Sequence, residues 1–146
     1  MRLRPAQPDD ETFIRNLWIK CLEEEYVHLD ASERAAEWTL RYRHEPRHLM
    51  ICEDEVEQGP AKALGFIWLL SLPDPTFREG NWWLYYVAVT PEARGRGLAR
   101  KMLDHARETL PGTIRLLVRC ESPVRSLYKR VGAKAVREEW HWPASE

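Results

Sequence analysis

Just after residue 89 the chain carries a group of residues suited to gripping a phosphate. Arg94-Gly95-Arg96-Gly97-Leu98-Ala99 follows an apolar, β-branched run and leads into an amphipathic helical pattern. Two glycines separated by one residue leave the backbone bare, so a ligand can come close to main-chain N–H groups. A helix that starts there adds unpaired donors and the positive end of its dipole. Arg94, Arg96, Arg100 and Lys101 surround the spot, and no acid occurs between Glu92 and Asp104. The chemistry on offer is the capture of a phosphate or diphosphate group.

Two common phosphate loops do not fit. A P-loop needs G-x-x-x-x-G-K-S/T, and Gly-Lys-Ser or Gly-Lys-Thr occurs nowhere in the chain. A dinucleotide fingerprint finds its first half in Gly95-Arg96-Gly97, with Glu121 near the expected later acid. Its third glycine position is Arg100, however, and Thr90-Pro91-Glu92-Ala93 separate the strand from the glycines. The rest of the chain is also too short for both halves of a doubly wound domain.

The elements that must hold this loop can be read from periodicity. Residues 81–89 form an apolar strand ahead of the glycines, and Leu98, Met102, Leu103 and Ala106 mark the buried face of the helix behind them. That helix ends near Pro111-Gly112. Upstream, residues 2–4 read as a short strand and Pro8-Asp9-Asp10-Glu11 as a helix entry with acids at its positive end. Phe13, Ile14, Leu17, Trp18 and Cys21 recur at helical spacing to about Glu24. Asp30-Ala31-Ser32 opens a second helix with Ala35, Trp38, Leu40 and Tyr42 as its candidate buried positions. Strands are predicted at 48–53, 63–72 and 114–118, with a charged turn over 54–60. Pro123 opens a helix carrying Leu127, Tyr128 and Val131, which Gly132 should stop. Residues 133–142 read as one extended strand or two short ones. The predicted order is β-α-α-β-β-β-α-β-α-β(β), an α/β layout with a mixed, mostly antiparallel sheet flanked by helices, in one domain over residues 1–146.

Arg94-Gly95-Arg96-Gly97-Leu98-Ala99 after Val87-Ala88-Val89-Thr90-Pro91 resembles the R-x-x-G-x-A acyl-CoA-binding motif of the GNAT superfamily of N-acyltransferases. A second block, Pro123 followed by Leu127-Tyr128-Lys129-Arg130-Val131-Gly132-Ala133, is similar to the family's N-x-P-A-x-x-L-Y-x-x-x-G-F segment. The resemblance implies an acyl-CoA-dependent N-acyltransferase moving acetyl from acetyl-CoA, its co-substrate, to a primary amine on a small molecule or protein. It further implies that the amides of Gly95, Arg96, Gly97, Leu98 and Ala99 hold the diphosphate, with Arg94, Arg96 and Arg100 adding charge. The amides of Val87 and Val89 would hold the pantetheine arm and polarise the thioester carbonyl, and Tyr128 matches the general-acid tyrosine. Glu121 stands where the family often has Asn and is a candidate pantetheine contact; its alternative is an acid ahead of a helix.

One position departs from the family pattern. Many relatives carry an acid in the central strand shortly before the A-V pair; here those positions are Tyr85 and Tyr86, poor bases at neutral pH. The amine's proton would then leave through water or a carboxylate from elsewhere. The departure also motivates an alternative, a non-catalytic acyl-CoA-binding module. Acceptor recognition is expected from residues 23–28 and 73–80.

Composition bounds the rest. At 146 residues with 44% hydrophobic and 31% charged side chains, the chain suits an ordinary soluble globule. A formal net charge of −1 confines the basic character to the loop and speaks against nucleic acid as a partner. No apolar run is long enough to span a membrane, and Met1-Arg2-Leu3-Arg4-Pro5 lacks a secretion signal's apolar core, so a cytoplasmic protein is expected. Cys21, Cys52 and Cys120 are widely spaced without a C-x-x-C pair, and the five histidines show no zinc spacing; no metal is expected. Seven tryptophans include adjacent Trp82-Trp83, which in a regular strand face opposite sides. These rings and the brief C-terminal strand are compatible with a homodimer.

Overall fold

In the computed structural model the described residues are 1–25, 29–72 and 81–144. They fall into two units, Met1–Leu116 and Leu117–Glu146.

Strands and helices of the first unit lie close to where periodicity puts them. Arg2–Pro5 (β1) leads through a 3-10 turn at Pro8–Asp10 into Glu11–Glu24 (α1). Ala31–Tyr42 (α2) begins at Asp30, whose carboxylate caps the helix by accepting from the Glu33 amide at 2.8 Å. Arg47–Asp54 (β2), Lys62–Ser71 (β3), Asn81–Val89 (β4), Leu98–Thr109 (α3) and Thr113–Arg115 (β5) follow. The five strands lie in the order β1-β2-β3-β4-β5, antiparallel except for the parallel pair β4–β5. This is the mixed, mostly antiparallel sheet read from the sequence.

β3 lies in the middle, which explains its composition. Leu64 through Leu70 are all buried, because helices cover both faces of the sheet. On one face Ile14, Leu17 and Trp18 of α1 and Trp38 of α2 pack with Leu49, Ile51, Phe66, Trp68, Leu70 and Ala88. Aromatic rings make up much of this core: Trp38 stacks on Tyr42 at 4.6 Å and meets Trp68 edge-on at 5.5 Å. Such pairs each add about 0.5–1.5 kcal/mol beyond area burial. On the other face α3 buries Leu98, Met102 and Ala106. Two of the expected buried positions of α2 are exposed instead: Ala35 and Leu40, the latter at 63%.

Buried charge pins the first strand. Glu53, only 3% exposed, accepts from Arg2 Nε at 2.6 Å and Arg4 Nε at 2.9 Å. Arg4 then grips both oxygens of Asp10, at 2.7 and 2.9 Å. The bidentate fork ties β1 and β2 to the turn that starts α1.

In the second unit Arg125–Arg130 (α4) ends where glycine demands it. Gly132 has φ +93°, its amide donates to the Lys129 carbonyl at 3.1 Å, and the Ala133 amide donates to that of Tyr128 at 3.0 Å. This paired arrangement is a Schellman stop. The strand expected over 133–142 is not formed. Those residues have no regular secondary structure, and Trp140 and Trp142 are 84% and 97% exposed. A segment of sequence supplies no neighbouring edge, and a strand needs one to pair its amides. The strand expected at 114–118 is likewise shorter, ending at Arg115.

Candidate functional site

The loop between β4 and α3 is built from its glycines outward. Thr90 is anchored to β3 through its amide, which donates to the Leu64 carbonyl at 2.8 Å. Pro91–Ala93 then turn tightly and bury Ala93. Gly95 and Gly97 adopt φ +83° and +73°, a left-handed backbone that side-chain-bearing residues enter at a cost. Space is not the reason for them: a Cβ on either would meet nothing within 4 Å. Glycine is required here by the backbone turn, and the turn leaves an open approach in front of it.

Gly97 is also the N-cap of α3 and supplies no side-chain acceptor. The first helical bond runs from the Lys101 amide to the Gly97 carbonyl at 3.1 Å. The amides of Leu98, Ala99 and Arg100 therefore have no acceptor within the helix. No acid lies in the first turn of α3. An anion placed there meets several donors and a favourable dipole.

The arginines around the loop are partly engaged. Arg94 pairs with Glu24 at 2.8 Å and donates through Nε to the Val89 carbonyl at 3.1 Å. Arg96 reaches Asp54 at 3.1 Å, and Arg100 lies 3.9 Å from Asp104. These pairs are largely exposed, so each is worth little and can exchange partners.

The edge of β4 beside this loop is open. β5 pairs only with Asn81, Trp82 and Trp83, and among the described residues no strand pairs with Leu84–Val89 on that side. The Thr90 amide points to β3, and N–H direction alternates along a strand. The amides of Val89 and Val87 therefore point away from β3, into the open edge. Two of the sequence-predicted donors thus lie on one side of the strand that leads to Gly95 and Gly97.

A bulge shapes the other end of β4. Trp68 pairs with Tyr86 while the next residue, Leu69, pairs with Leu84, so Tyr85 is the extra residue. A bulge shifts the in–out alternation, and here Tyr85 and Tyr86 both turn to the face covered by α1 and α2. Trp82 faces the α3 side, where its ring meets His48 edge-on at 6.5 Å. Trp83 lies under the guanidinium of Arg115 at 4.2 Å.

The two tyrosines and Trp18 help line a cavity of about 530 Å3 between α1, α2 and β4, into which Glu33, Glu37 and Leu40 also face. The Tyr85 hydroxyl donates to Glu37 Oε1 at 2.7 Å, and Arg41 Nε donates to the same oxygen at 3.0 Å. Burial beside this carboxylate pushes the Tyr85 phenol well up, so it stays protonated. Burial also pushes Glu37 up, but the hydrogen bonds from Tyr85 and Arg41 outweigh that and hold it below the usual range. Sequence reading did not single out Glu37. The signal present was Glu33, Ala36, Glu37 and Leu40 on one face of α2, acids flanking apolar residues at i, i+3 and i+4 spacing. Of the segments expected to recognise an acceptor, residues 26–28 and 73–80 lie outside the described residues.

Tyr128 and Glu121 belong to the second unit. Tyr128 is half-buried on α4. Glu121 is exposed and paired with Arg119 at 2.7 Å. Its own backbone amide and Arg119 hold the carboxyl below its usual range.

Similarity to known proteins agrees with this architecture. The fold matches a variant of the BH1408 protein from Bacillus halodurans with TM-score 0.74, at 17% identity over 99% of this chain and 100% of that one. A Trypanosoma brucei acetyltransferase matches at TM-score 0.63 and 20% identity, covering 98% of this chain and 99% of that one. The aminoglycoside antibiotic 6'-N-acetyltransferase of Acinetobacter haemolyticus matches at TM-score 0.67 and 12% identity, covering 100% and 99%. No curated protein matches the sequence. The family model described as "Acetyltransferase (GNAT) family" matches residues 12–133. Since that span takes in the helices, the β4–α3 loop and α4 alike, the chain belongs to the GNAT acetyltransferase family.

Proposed function

We propose that this protein is an N-acetyltransferase that moves an acetyl group from acetyl-CoA to a primary amine. One observation carries the reading: a strand with amides turned to an open edge leads, through one tight 3-10 turn, into a glycine turn and an uncapped helix N-terminus. Main-chain donors are thereby available for both a diphosphate and a thioester carbonyl. Donors fixed in advance toward developing negative charge are each worth about 3–4 kcal/mol in acyl transfer. The open approach at Gly95 and Gly97 fits a bulky phosphate ligand. Arg94, Arg96 and Arg100 would trade acidic side chains for phosphate oxygens.

Acetyl-CoA supplies the activated acyl group, and the rest of the reaction falls to the chain. The amides of Val87 and Val89 would polarise the carbonyl while the amine nitrogen forms the new C–N bond and the C–S bond breaks. Tyr128 would give its proton to the departing sulfur as general acid. The amine's own proton would leave through water.

A second reading has a specific observation in its favour. Tyr85 is held protonated and Glu37 is held ionised with a lowered pKa, so neither is tuned as a base near pH 7. A module that binds acyl-CoA without turnover would have the same features. Thiol release from acetyl-CoA across a panel of primary amines separates the two. Turnover with any amine supports the transferase, whereas tight coenzyme binding with no turnover supports the module.

A further inference from the structure

The cavity between α1, α2 and β4 has a distribution of chemistry that selects among amines. Most of its wall is apolar: Trp18, Leu22 and Leu29 on one side, Ala36 and Leu40 on α2, and the rings of Tyr85 and Tyr86. Beneath it lies the aromatic core, with Trp18 tilted against Trp38 at 5.4 Å and Tyr85 edge-on to Trp68 at 4.8 Å. Among the described residues the only charged side chains in the lining are Glu33 and Glu37, both acidic and one helical turn apart. Its volume of about 530 Å3 is within the usual range, roughly 300–1,000 Å3, for small-molecule sites.

We propose that this cavity takes an amine carried on a flat, apolar body, an aralkylamine, with Glu37 positioning its nitrogen. The proposal rests on the transferase reading above and names its acceptor class. Glu37 is fixed before any ligand arrives, because Tyr85 and Arg41 both hold Oε1. Among the described residues Oε2 keeps its lone pairs for an incoming N–H donor. Preorganised in this way, the carboxylate loses little freedom on binding. Leu40, 63% exposed at the rim, offers apolar surface that an aromatic ring would cover.

Other acceptor classes fit less well. An amino acid or a phosphorylated amine would bring a further negative charge against Glu33 and Glu37. A polyamine would place additional ammonium groups against an apolar wall, where desolvating charge is costly. The side chain of a lysine has no ring to occupy the aromatic end.

The test uses the full chain and two readouts. Thiol release is measured with phenethylamine, spermidine, phenylalanine and a lysine-containing peptide, and coenzyme affinity is measured by calorimetry. Phenethylamine should exceed the other three by at least about tenfold in kcat/KM. Glu37→Gln should raise the KM for phenethylamine about tenfold, with kcat, melting temperature and coenzyme affinity little changed. A preference for spermidine, phenylalanine or the peptide, or an unchanged KM in Glu37→Gln, overturns the proposal while turnover keeps the transferase reading intact. If no amine is turned over, the cavity is judged by tryptophan fluorescence, since Trp18 lines it. Saturable quenching by phenethylamine that weakens in Glu37→Gln supports the proposal, and absence of quenching overturns it.

Discussion

Gly65 on β3 lies so close to Ala88 on β4 that a Cβ at residue 65 would stand 2.4 Å from the Ala88 carbonyl oxygen. The neighbouring pair, Gly65 opposite Val89, is where β4 leaves the sheet for the glycine loop. A side chain here must therefore push on backbone at the start of the loop rather than on a flexible neighbour. Gly65→Ala should cost about 1–3 kcal/mol, the usual range for overpacking. A melting scan would show this as a drop of several degrees; an unchanged melt would mean that β4 can move aside.

Gly97 needs its left-handed backbone but has open space around it. Gly97→Val should cost about 1–2 kcal/mol of stability from backbone strain and weaken acetyl-CoA binding at least tenfold. Gly59, with φ +93° and equally open surroundings in the β2–β3 connection, is the control. Gly59→Val should strain the fold similarly while leaving coenzyme affinity by calorimetry unchanged. Equal affinity in Gly97→Val would remove the loop from the binding site.

Acid should loosen β1 first. Burial pushes the Glu53 carboxyl up, but hydrogen bonds from Arg2 and Arg4 more than offset it; Arg4 likewise holds Asp10 low. A carboxylate with a depressed folded pKa contributes stability that is present above its ordinary pKa, about 4, and lost as pH falls through the folded value. Glu53→Gln should therefore cost about 2 kcal/mol at pH 7. It should also flatten the loss of melting temperature between neutral pH and pH 3, and a parallel acid profile would refute this assignment.

His48 makes a second pH-dependent contribution. Burial and the nearby His105 push its pKa down, and its Nε2 is buried without a hydrogen-bond partner among the described residues. The unfolded chain then binds the proton more readily, so stability falls as pH drops below about 6.5. His48→Leu should lose less melting temperature between pH 7.5 and pH 5.5 than the parent protein. An identical loss would place the titration elsewhere.

Tyr128→Phe tests the acid. If the phenol protonates the departing thiol, kcat should fall about 10²-fold, the lower range for removing a general acid. Acetyl-CoA affinity should hold within about twofold. Full activity in the variant would assign the proton to water.

Where the controlling physics is local, the sequence alone was decisive. The left-handed glycines of the β4–α3 loop, the Asp30 cap on α2 and the Gly132 stop after α4 follow from backbone sterics and unpaired helix-end groups. Each involves residues a few positions apart, so the turn and the helix ends were readable as a string. Only the tertiary structure decided which residues share a cavity. Tyr85 and Tyr86 face the same side because β4 carries a bulge where it pairs with Trp68 and Leu69, and no property of adjacent tyrosines announces it. Glu37 meets Tyr85 across 48 positions, and Gly65 is demanded by a carbonyl on another strand. The same dependence explains why residues 133–142, expected as a strand, do not form one. Pairing is a property of two edges, and a single segment of sequence describes only one of them.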